Sequence, residues 1–288
     1  DMNHNFYCVI MAGGAGTRFW PMSKSNRPKQ FLEIGNTGKT FLQNVFERFS
    51  RIVPQENIIV VTGDRFKDLV KEQLPQIENE NILLEPYSRD TAPCIAYATY
   101  TLLKRNPEAV MAVTPADHFI PDEDVFVEDV KNALDYTAGK DILMTLGVIP
   151  TRPDPNYGYI QVSGGRYKIK DNDAVKVKTF TEKPDIELAK VFVNSGEFFW
   201  NSGIFVWKAE TIREELERYL PEVAHLFTGW ENALGSRVER EFVEKAYTDC
   251  LKISIDYGVM EKTEKAWLYP SHFRWADIGN WESLYDLI

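Results

Sequence analysis

The stretch that decides the fold is Phe6-Tyr-Cys-Val-Ile-Met-Ala-Gly-Gly-Ala-Gly-Thr-Arg18. It begins with a continuous apolar run, which is typical of a strand buried on both faces of a sheet. The glycines that follow, Gly13, Gly14 and Gly16, let backbone N–H groups approach an oxyanion closely and permit positive φ. Arg18 and Lys29 add two positive charges. The stretch therefore predicts an anion-binding loop at the carboxyl end of the first strand.

This loop matches neither of the common phosphate-binding motifs. Walker A requires Lys-Ser/Thr after its second glycine, and the dinucleotide pattern G-x-G-x-x-G requires a glycine at position 19, where Phe19 stands. The structural alternative is a glycine-rich turn with solvated charges. The longer run, which adds Pro28 and Lys29, is more specific than a glycine turn and favours the phosphate site.

Further apolar runs alternate with helical patterns along the first half of the chain, which predicts an α/β protein with a mostly parallel, mixed central sheet flanked by helices. Such a sheet binds its ligand beyond the carboxyl ends of its strands. A proline-rich loop near 150–157 separates a first half, about 1–150, from a less regular second half, about 151–288. The expected strands are Phe6–Met11, Ile58–Thr62, Ile82–Leu84, Ala109–Val113, Ile142–Leu146, Tyr159–Val162, Val175–Thr181 and Phe198–Trp207. The expected helices are Phe41–Ser50, Asp64–Leu74, Thr91–Arg105, Glu123–Ala138, Asp185–Asn194, Glu210–Tyr219 and Val238–Ala246.

Composition excludes several classes of protein. The 288 residues include 33 Lys+Arg and 43 Asp+Glu, so the formal net charge is −10, which argues against nucleic-acid binding. The 44% of apolar residues exclude bulk disorder, and no apolar run approaches the length of a membrane span. Three cysteines without a C-x-x-C spacing argue against a disulfide framework and a zinc site. The first residues show no secretory signal, so we expect a cytoplasmic protein.

The loop and the residues after it, Phe19-Trp-Pro-Met-Ser23 and Arg27-Pro-Lys-Gln-Phe31, resemble the signature of the sugar-nucleotide pyrophosphorylases, in the mannose-1-phosphate guanylyltransferase branch. The resemblance implies a Rossmann-like nucleotidyltransferase fold and one catalytic domain over 1–288, with a nucleotide-binding and a sugar-binding half and without the C-terminal extension of some members. It continues in order through Glu85-Pro, Thr91-Ala-Pro93, Pro115-Ala-Asp-His118, Tyr157-Gly-Tyr-Ile160, Glu182-Lys-Pro184, Trp200-Asn-Ser-Gly203, Ser254-Ile-Asp-Tyr257, Val259-Met-Glu-Lys262 and Trp275-Ala-Asp-Ile-Gly-Asn-Trp281.

The resemblance also implies a reaction, in which GTP and α-D-mannose 1-phosphate give GDP-mannose and pyrophosphate. Mg²⁺ or another divalent cation would lie between Asp117 and Asp277, because hard cations prefer carboxylate and phosphate oxygens. His118 is then a loop residue or a neighbour of the metal ligands rather than a ligand itself. The implied catalytic residues are Arg18, Lys29 and Lys183. The implied nucleotide-binding residues are Ala12, Gly13, Gly14, Gly16, Thr17, Glu85, Thr91 and Asp117. The implied sugar-binding residues are Gly158, Glu182 and Asn201.

Glu85 is the candidate reader of the base. Guanine presents adjacent N1–H and N2–H₂ donors, which one carboxylate can accept together, whereas uracil and thymine pair better with an amide. The structural alternative is an exposed loop acid or a helix cap. Asp90 stands where the family typically has Asn, and it can cap the helix that begins at Thr91.

Two other functions are compatible with these residues. The chain could be a pyrophosphorylase for another sugar 1-phosphate or another nucleotide. It could also be a catalytically silent sugar-nucleotide-binding subunit that regulates a partner, although such homologues commonly lose the basic or acidic site residues that are present here. We expect no nucleic-acid or membrane partner, and the oligomeric state is left open between a monomer and a homodimer.

Overall fold

The computed structural model describes residues 2–14, 27–34 and 37–277, and every structural statement below concerns these residues. Within them, nine strands form one mixed sheet in the order β3-β2-β1-β4-β8-β5-β9-β7-β6. The strands are β1 (Phe6–Ala12), β2 (Ile58–Gly63), β3 (Ile82–Glu85), β4 (Val110–Pro115), β5 (Leu143–Val148), β6 (Tyr159–Val162), β7 (Val175–Thr181), β8 (Phe198–Lys208) and β9 (Ala266–Pro270).

Helices cover both faces of this sheet. Helix α1 begins with a capping box, in which the Thr40 side chain accepts from the Gln43 amide and the Gln43 side chain accepts from the Thr40 amide. No helix in the described part of the chain is long and apolar enough to cross a membrane. The α-helices are α1 (Phe41–Ser50), α2 (Lys67–Gln73), α3 (Thr91–Arg105), α4 (Glu123–Thr137), α5 (Ile186–Ser195), α6 (Ala209–Tyr219), α7 (Pro221–Ala224), α8 (Trp230–Ala233) and α9 (Glu239–Asp249).

Strand β1 shows why the sheet is buried on both faces. Alternate side chains of a strand point to opposite faces. Cys8 and Ile10 lie in the core cluster on one face, while Tyr7 and Val9 lie in the cluster on the other. The continuous apolar run is thus the signature of a strand with helices above and below it. Cys8 is fully buried, as expected of a packing residue.

The parallel pairings are concentrated in the first half of the chain. Strand β1 pairs in parallel with β2 and β4, and β2 pairs in parallel with β3, so that their carboxyl ends share one edge of the sheet. Strand β8 runs antiparallel to β4 through Phe205–Lys208, to β5 along most of its length from Trp200 to Trp207, and to β6 through Phe198–Trp200. This long strand connects the parallel part to the β6–β7 hairpin, and Asn201 lies where it passes from one to the other.

The α/β architecture and the mixed sheet are confirmed, and most predicted elements lie within two or three residues of their observed bounds. Sequence patterns missed β9, the short helices α7 and α8, and a π-helical turn at Asp256–Met260. These elements are short, and a four- or five-residue segment has too few positions to establish a period.

Candidate active site

The glycine loop leaves the carboxyl end of β1 and is held there by side chains from two other segments. Gln30 Nε2 donates to the carbonyl oxygens of Ala12, at 3.0 Å, and Gly13, at 3.4 Å. The Thr62 hydroxyl also donates to the Ala12 carbonyl, at 2.8 Å. Gly14 has a φ of +84°, a conformation that glycine adopts without strain. Gln30 was not singled out from the sequence, although it belongs to the Arg-Pro-Lys-Gln signature.

The predicted residues Gly16, Thr17 and Arg18 lie outside the described residues.

Lys29 occupies the centre of a charged cluster. It begins a single 3₁₀ turn, Lys29–Phe31, and its side chain is completely buried. Its Nζ lies 3.7 Å from Asp117 Oδ2 and 3.6 Å from Asp277 Oδ1. A buried ammonium requires compensating negative charge, and two carboxylates from distant parts of the chain contribute it.

The two aspartates meet because two loops form a β-bridge. Phe119 and Ala276 exchange backbone hydrogen bonds of 3.0 and 3.1 Å in an antiparallel bridge. This bridge sets Asp117, just beyond the end of β4, beside Asp277. The predicted pairing of these two carboxylates is therefore present in the fold, and both side chains retain access to solvent, at 31% and 26% exposure.

His118 lies next to this cluster in a fixed tautomer. The indole N–H of Trp275 donates to His118 Nδ1 at 3.0 Å. Because indole nitrogen is only a donor, Nδ1 is the acceptor and the neutral imidazole carries its proton on Nε2. That nitrogen lies 3.8 Å from an Asp117 oxygen and 3.7 Å from an Asp277 oxygen. His118 thus presents a proton to the carboxylates.

Glu85, at the carboxyl end of β3, is buried against the glycine loop. Its side chain accepts a 2.6 Å hydrogen bond from the Tyr247 hydroxyl of α9. Burial raises the pKa of Glu85 to about 7, although the Tyr247 hydrogen bond lowers it. A Cβ added at Gly13 would lie 2.9 Å from Glu85 Oε1, so only glycine lets this loop pack over the carboxylate.

Glu85 and Gly14 line a cavity of about 560 Å³, together with Arg65, Tyr87 and Lys252 among others. The cavity places the candidate base reader next to the candidate phosphate loop. The partner that sequence reasoning missed is Tyr247, which lies 162 residues from Glu85 along the chain. The sequence gives no local signal for this contact.

The start of α3 connects the two halves of the chain. The Thr91 hydroxyl oxygen accepts from the Ile255 amide at 2.8 Å, and the Ala92 amide donates to the Ile253 carbonyl at 3.1 Å. In the structure, the side chain of Thr91, a predicted nucleotide-binding residue, therefore holds the Ile255 backbone in place. Asp90 caps the helix, as expected, by accepting from the Thr91 amide at 2.7 Å.

The predicted sugar-binding residues come together around a second cavity, of about 350 Å³. Gly158 directly precedes β6 and lies beside Asn201 of β8. The backbone N–H of Asn201 donates to the Gly158 carbonyl at 2.8 Å. Glu182 and Lys183 follow β7 directly and line the same cavity. His118 and Asp277 also line it, so this second cavity opens next to the charged cluster around Lys29. Burial raises the pKa of Glu182, and the charge of Lys183 opposes that effect.

Gly158 is required for this close approach. A Cβ added there would lie 3.2 Å from Asn201 Cβ and 3.3 Å from Glu182 Oε2. The backbone of Gly158 therefore forms one wall of the cavity.

Asp256 also lines this cavity, although no role was assigned to it from the sequence. Asn201 Nδ2 donates to Asp256 Oδ1 at 2.9 Å. Burial, with repulsion from Glu182, raises the pKa of Asp256 to about 7. The Ser254-Ile-Asp-Tyr257 motif was the available signal, but nothing in its local pattern indicates which side chain it faces.

A larger cavity, of about 690 Å³, lies between α3, α9 and the edge strand β3. None of the predicted site residues lines it. The candidate site is instead the pair of smaller cavities, one beside the glycine loop after β1 and the other beside the Lys29 cluster.

Comparison with known proteins identifies the family of this chain. The nucleotidyl transferase family model matches residues 7–288. Mannose-1-phosphate guanylyltransferase RfbM of Salmonella typhimurium is 40% identical over 293 residues, which cover 98% of this chain and 59% of that protein. Mannose-1-phosphate guanylyltransferase of Escherichia coli K12 shows the same identity and coverage. The chain thus spans 59% of the length of these curated relatives.

Solved structures agree on the fold. A crystal structure from Thermus thermophilus, described as mannose-1-phosphate geranyltransferase, gives a TM-score of 0.83 at 32% identity and covers 99% of this chain and 80% of that one. One from Helicobacter pylori, described as mannose-6-phosphate isomerase, gives a TM-score of 0.73 at 27% identity and covers 93% of this chain and 99% of that one. Because the family model matches residues 7–288 of its 288 residues, this chain belongs to the nucleotidyl transferase family, and it is similar to the mannose-1-phosphate guanylyltransferases.

Proposed function

We propose that this chain transfers a guanylyl group from GTP to α-D-mannose 1-phosphate, giving GDP-mannose and pyrophosphate. The observation that carries the proposal is the single cavity formed by Gly158, Glu182, Lys183 and Asn201, which opens onto the Lys29–Asp117–Asp277 cluster. The names of the 40% identical relatives support the choice of sugar and base.

In this reaction an oxygen of the sugar phosphate attacks the α-phosphorus of GTP in line, and pyrophosphate leaves. A phosphate monoester is already anionic at neutral pH, so the reaction requires no general base. Catalysis consists of positioning two anions and neutralising their charge. Lys183, exposed at the mouth of the sugar cavity, holds the attacking phosphate. Arg18 and Lys29 serve the triphosphate and the leaving group.

Glu182 and Asn201 hold the sugar hydroxyls, because a carboxylate is a strong acceptor for hydroxyl donors. Gly158 contributes its backbone and leaves room for the ring. The nucleotide lies on the other side of the charged cluster, with its phosphates on Ala12, Gly13, Gly14, Gly16 and Thr17, and with Thr91 and Asp117 beside it. This arrangement makes 1–150 the nucleotide-binding half and 151–288 the sugar-binding half of one catalytic domain.

Glu85 reads the guanine. One oxygen accepts from Tyr247, and the carboxylate has lone pairs left for the N1–H and N2–H₂ donors of the base. Because burial raises the pKa of Glu85, these two donors stabilise its ionised form, and a uracil or thymine, with one N–H between two carbonyls, cannot supply both.

The residues present fit a divalent cation between Asp117 and Asp277. Their carboxylate oxygens already lie within 4 Å of one shared cation, the Lys29 ammonium. No group of three or more His, Cys, Asp or Glu side chains that could hold a metal was found in the described residues. Mg²⁺ is commonly held by one or two carboxylates together with substrate phosphates, so two aspartates suffice. When bound, the cation neutralises charge that develops on the phosphate oxygens.

An assay of pyrophosphate release with GTP, mannose 1-phosphate and Mg²⁺ tests the proposal. We expect turnover to be highest for this pair in a panel that also contains UTP, dTTP and glucose 1-phosphate. A different preferred pair would make the chain a pyrophosphorylase for another sugar or base. Absence of turnover with retained GDP-mannose binding would favour a silent regulatory subunit.

The assembly and location of the protein are part of the same proposal. We place the reaction in the cytoplasm, where GTP and sugar phosphates are available, and propose a homodimer as the assembly to test by sedimentation.

A further inference from the structure

Asp256 is a carboxylate of the sugar cavity to which the reaction above gives no task. It begins the π-helical turn Asp256–Met260, and its half-buried side chain lines the 350 Å³ cavity together with Glu182. Single π turns are rare and occur frequently at functional sites. Because Asp256 lines the cavity, it could contact a bound ligand directly.

One oxygen of Asp256 is fixed by the neighbouring amide. Asn201 Nδ2 donates to Asp256 Oδ1 at 2.9 Å, while Asn201 Oδ1 accepts from the Gly203 amide at 3.0 Å and from the Thr145 hydroxyl at 3.4 Å. With both ends of the Asn201 amide engaged, its orientation is set. Asp256 therefore determines how Asn201 faces the sugar, and its own direction is determined in return.

The backbone that carries Asp256 is also held firmly. The preceding residue, Ile255, donates its amide to the Thr91 hydroxyl oxygen at 2.8 Å, and the Gly258 amide donates to the Ser254 carbonyl at 2.9 Å. A Cβ at Gly258 would lie 2.4 Å from Leu220 Cδ1, so the turn packs tightly on its outer side. A carboxylate on such a rigid element is suited to precise recognition.

The cavity holds two neighbouring carboxylates, and a ligand with hydrogen-bond donors would offset their mutual repulsion. Glu182 and Asp256 are both partly withdrawn from water, and each raises the free energy of the other's charged form. Burial and this repulsion raise the pKa of Asp256 to about 7. A ligand with several hydroxyl donors would stabilise both carboxylates, and a hexose ring carries neighbouring hydroxyls.

We propose that Asp256 is a specificity-determining residue, whose oxygen not engaged by Asn201 accepts a hydrogen bond from one ring hydroxyl of the hexose while Glu182 accepts from another. The assignment rests on the proposed function, because it concerns the sugar 1-phosphate of that reaction. It adds a second acidic contact to the sugar site and makes hydroxyl configuration the property that Asp256 reads.

The variant Asp256→Asn separates this contact from a structural role. The asparagine Oδ1 can still accept from Asn201 Nδ2, but the other atom of the side chain becomes a donor and no longer accepts from a hydroxyl. We expect the KM for mannose 1-phosphate to rise about 10- to 100-fold, which is the usual effect of losing a hydrogen bond to a charged group. The KM for GTP should change less than about twofold. Glu264→Gln is the matched control, because Glu264 is an exposed acid a few residues beyond the same turn and does not line the cavity.

A set of monodeoxy mannose 1-phosphates identifies the hydroxyl. With the wild-type protein, removing the recognised hydroxyl should lower kcat/KM about 10- to 100-fold. With Asp256→Asn, the same deoxy sugar and mannose 1-phosphate should differ less than about threefold, because the acceptor is already gone. Equal sensitivity of both proteins to every deoxy sugar would overturn the proposal, as would an equal rise in the KM for GTP.

Failure of the reaction itself would be seen separately. If the wild-type protein releases no pyrophosphate with any pair in the panel, the proposed function is wrong, and calorimetry with mannose 1-phosphate then tests Asp256 alone. Binding at least tenfold weaker in Asp256→Asn than in Glu264→Gln supports the assignment, and equal binding of these two variants, or no binding to the wild type, overturns it.

Discussion

The two carboxylates proposed to read the substrates, Glu85 and Glu182, lie in contrasting surroundings. Glu85 is 7% exposed, its hydrogen-bond partner is a tyrosine hydroxyl, and its Oε1 lies 2.9 Å from where a Cβ at Gly13 would be. Glu182 is only half-buried, Lys183 follows it, and Asp256 lines the same cavity. At the proposed base end the carboxylate is buried, whereas at the proposed sugar end it is half-buried beside other charged groups.

If these proposed roles hold, one site selects two chemically different groups by different means. At the base end, discrimination depends on the cost of leaving one buried charge without its donors. At the sugar end, several polar groups share the recognition, so each contributes less. The charged cluster of Lys29, Asp117 and Asp277 lies beside the proposed sugar end, where the phosphates would meet.

The largest effect is expected in the cluster itself. Asp277→Asn removes a charge that compensates Lys29 and is proposed to hold Mg²⁺, so we expect kcat to fall about 10³-fold, as for the loss of a principal electrostatic contact. The midpoint of thermal unfolding should change by only a few degrees. Asp124→Asn, at a largely exposed acid paired with Arg51, is the control and should leave kcat unchanged. Full turnover of a folded Asp277→Asn protein would refute the metal assignment.

Burial of Glu85 should make the stability of the protein depend strongly on pH. The folded protein holds the Glu85 proton up to about pH 7, whereas the unfolded chain loses it near 4.5, so the free energy of unfolding decreases as pH rises through this window. By pH 8 this loss amounts to about 3 kcal/mol. Glu85→Gln removes this titrating group and the loss of stability that it causes. Urea unfolding of wild type and variant between pH 4.5 and 8 measures the difference in unfolding free energy.

Relative to wild type, Glu85→Gln should therefore become progressively more stable as the pH rises, while Glu241→Gln on the exposed face of α9 should follow the wild-type curve. Parallel curves for Glu85→Gln and wild type would show that Glu85 is solvated and that the two ends do not differ in this way.

The polar sugar end should respond to a single methyl group. Gly158→Ala forces Asn201 and Glu182 apart, since the new Cβ lies 3.2 and 3.3 Å from them. We expect the KM for mannose 1-phosphate to rise about tenfold, or about 1.4 kcal/mol, with the KM for GTP unchanged. Gly139→Ala is the matched control, because nothing lies within 4 Å of its added Cβ. Identical kinetics for the two variants would place the sugar elsewhere.

The smallest effect concerns Asp90, which lies between the two ends. Its φ of 68° and ψ of −169° belong to a region that is essentially restricted to glycine, at a cost of about 1–3 kcal/mol. Replacing the cap by glycine costs only a few tenths of a kcal/mol. Asp90→Gly should therefore stabilise the fold by about 1 kcal/mol in chemical denaturation, whereas Asp90→Asn should change it little. A destabilised glycine variant would show that the Asp90 carboxylate contributes more to folding than its strain subtracts.

Much of the fold was predictable because its signals are local. The apolar run Phe6–Met11 predicted a doubly buried strand, and the bounds of α1 and α3 agreed with their apolar spacing and with caps at Thr40 and Asp90. Strand β9 was missed because five residues before a loop carry no period that distinguishes them from other short apolar segments.

The sequence by itself determined which residues carry charge or conformational freedom near strand ends: the glycine loop, Lys29, Asp117, Glu182 and Lys183. It did so because strand patterns and turn residues are readable within a few positions. Only the tertiary structure decided which of these groups meet. The β-bridge beside Asp277, the Tyr247 hydrogen bond to Glu85 and the Asp256 contact with Asn201 join residues far apart in sequence, and they depend on the order of strands in the sheet, which no local pattern specifies.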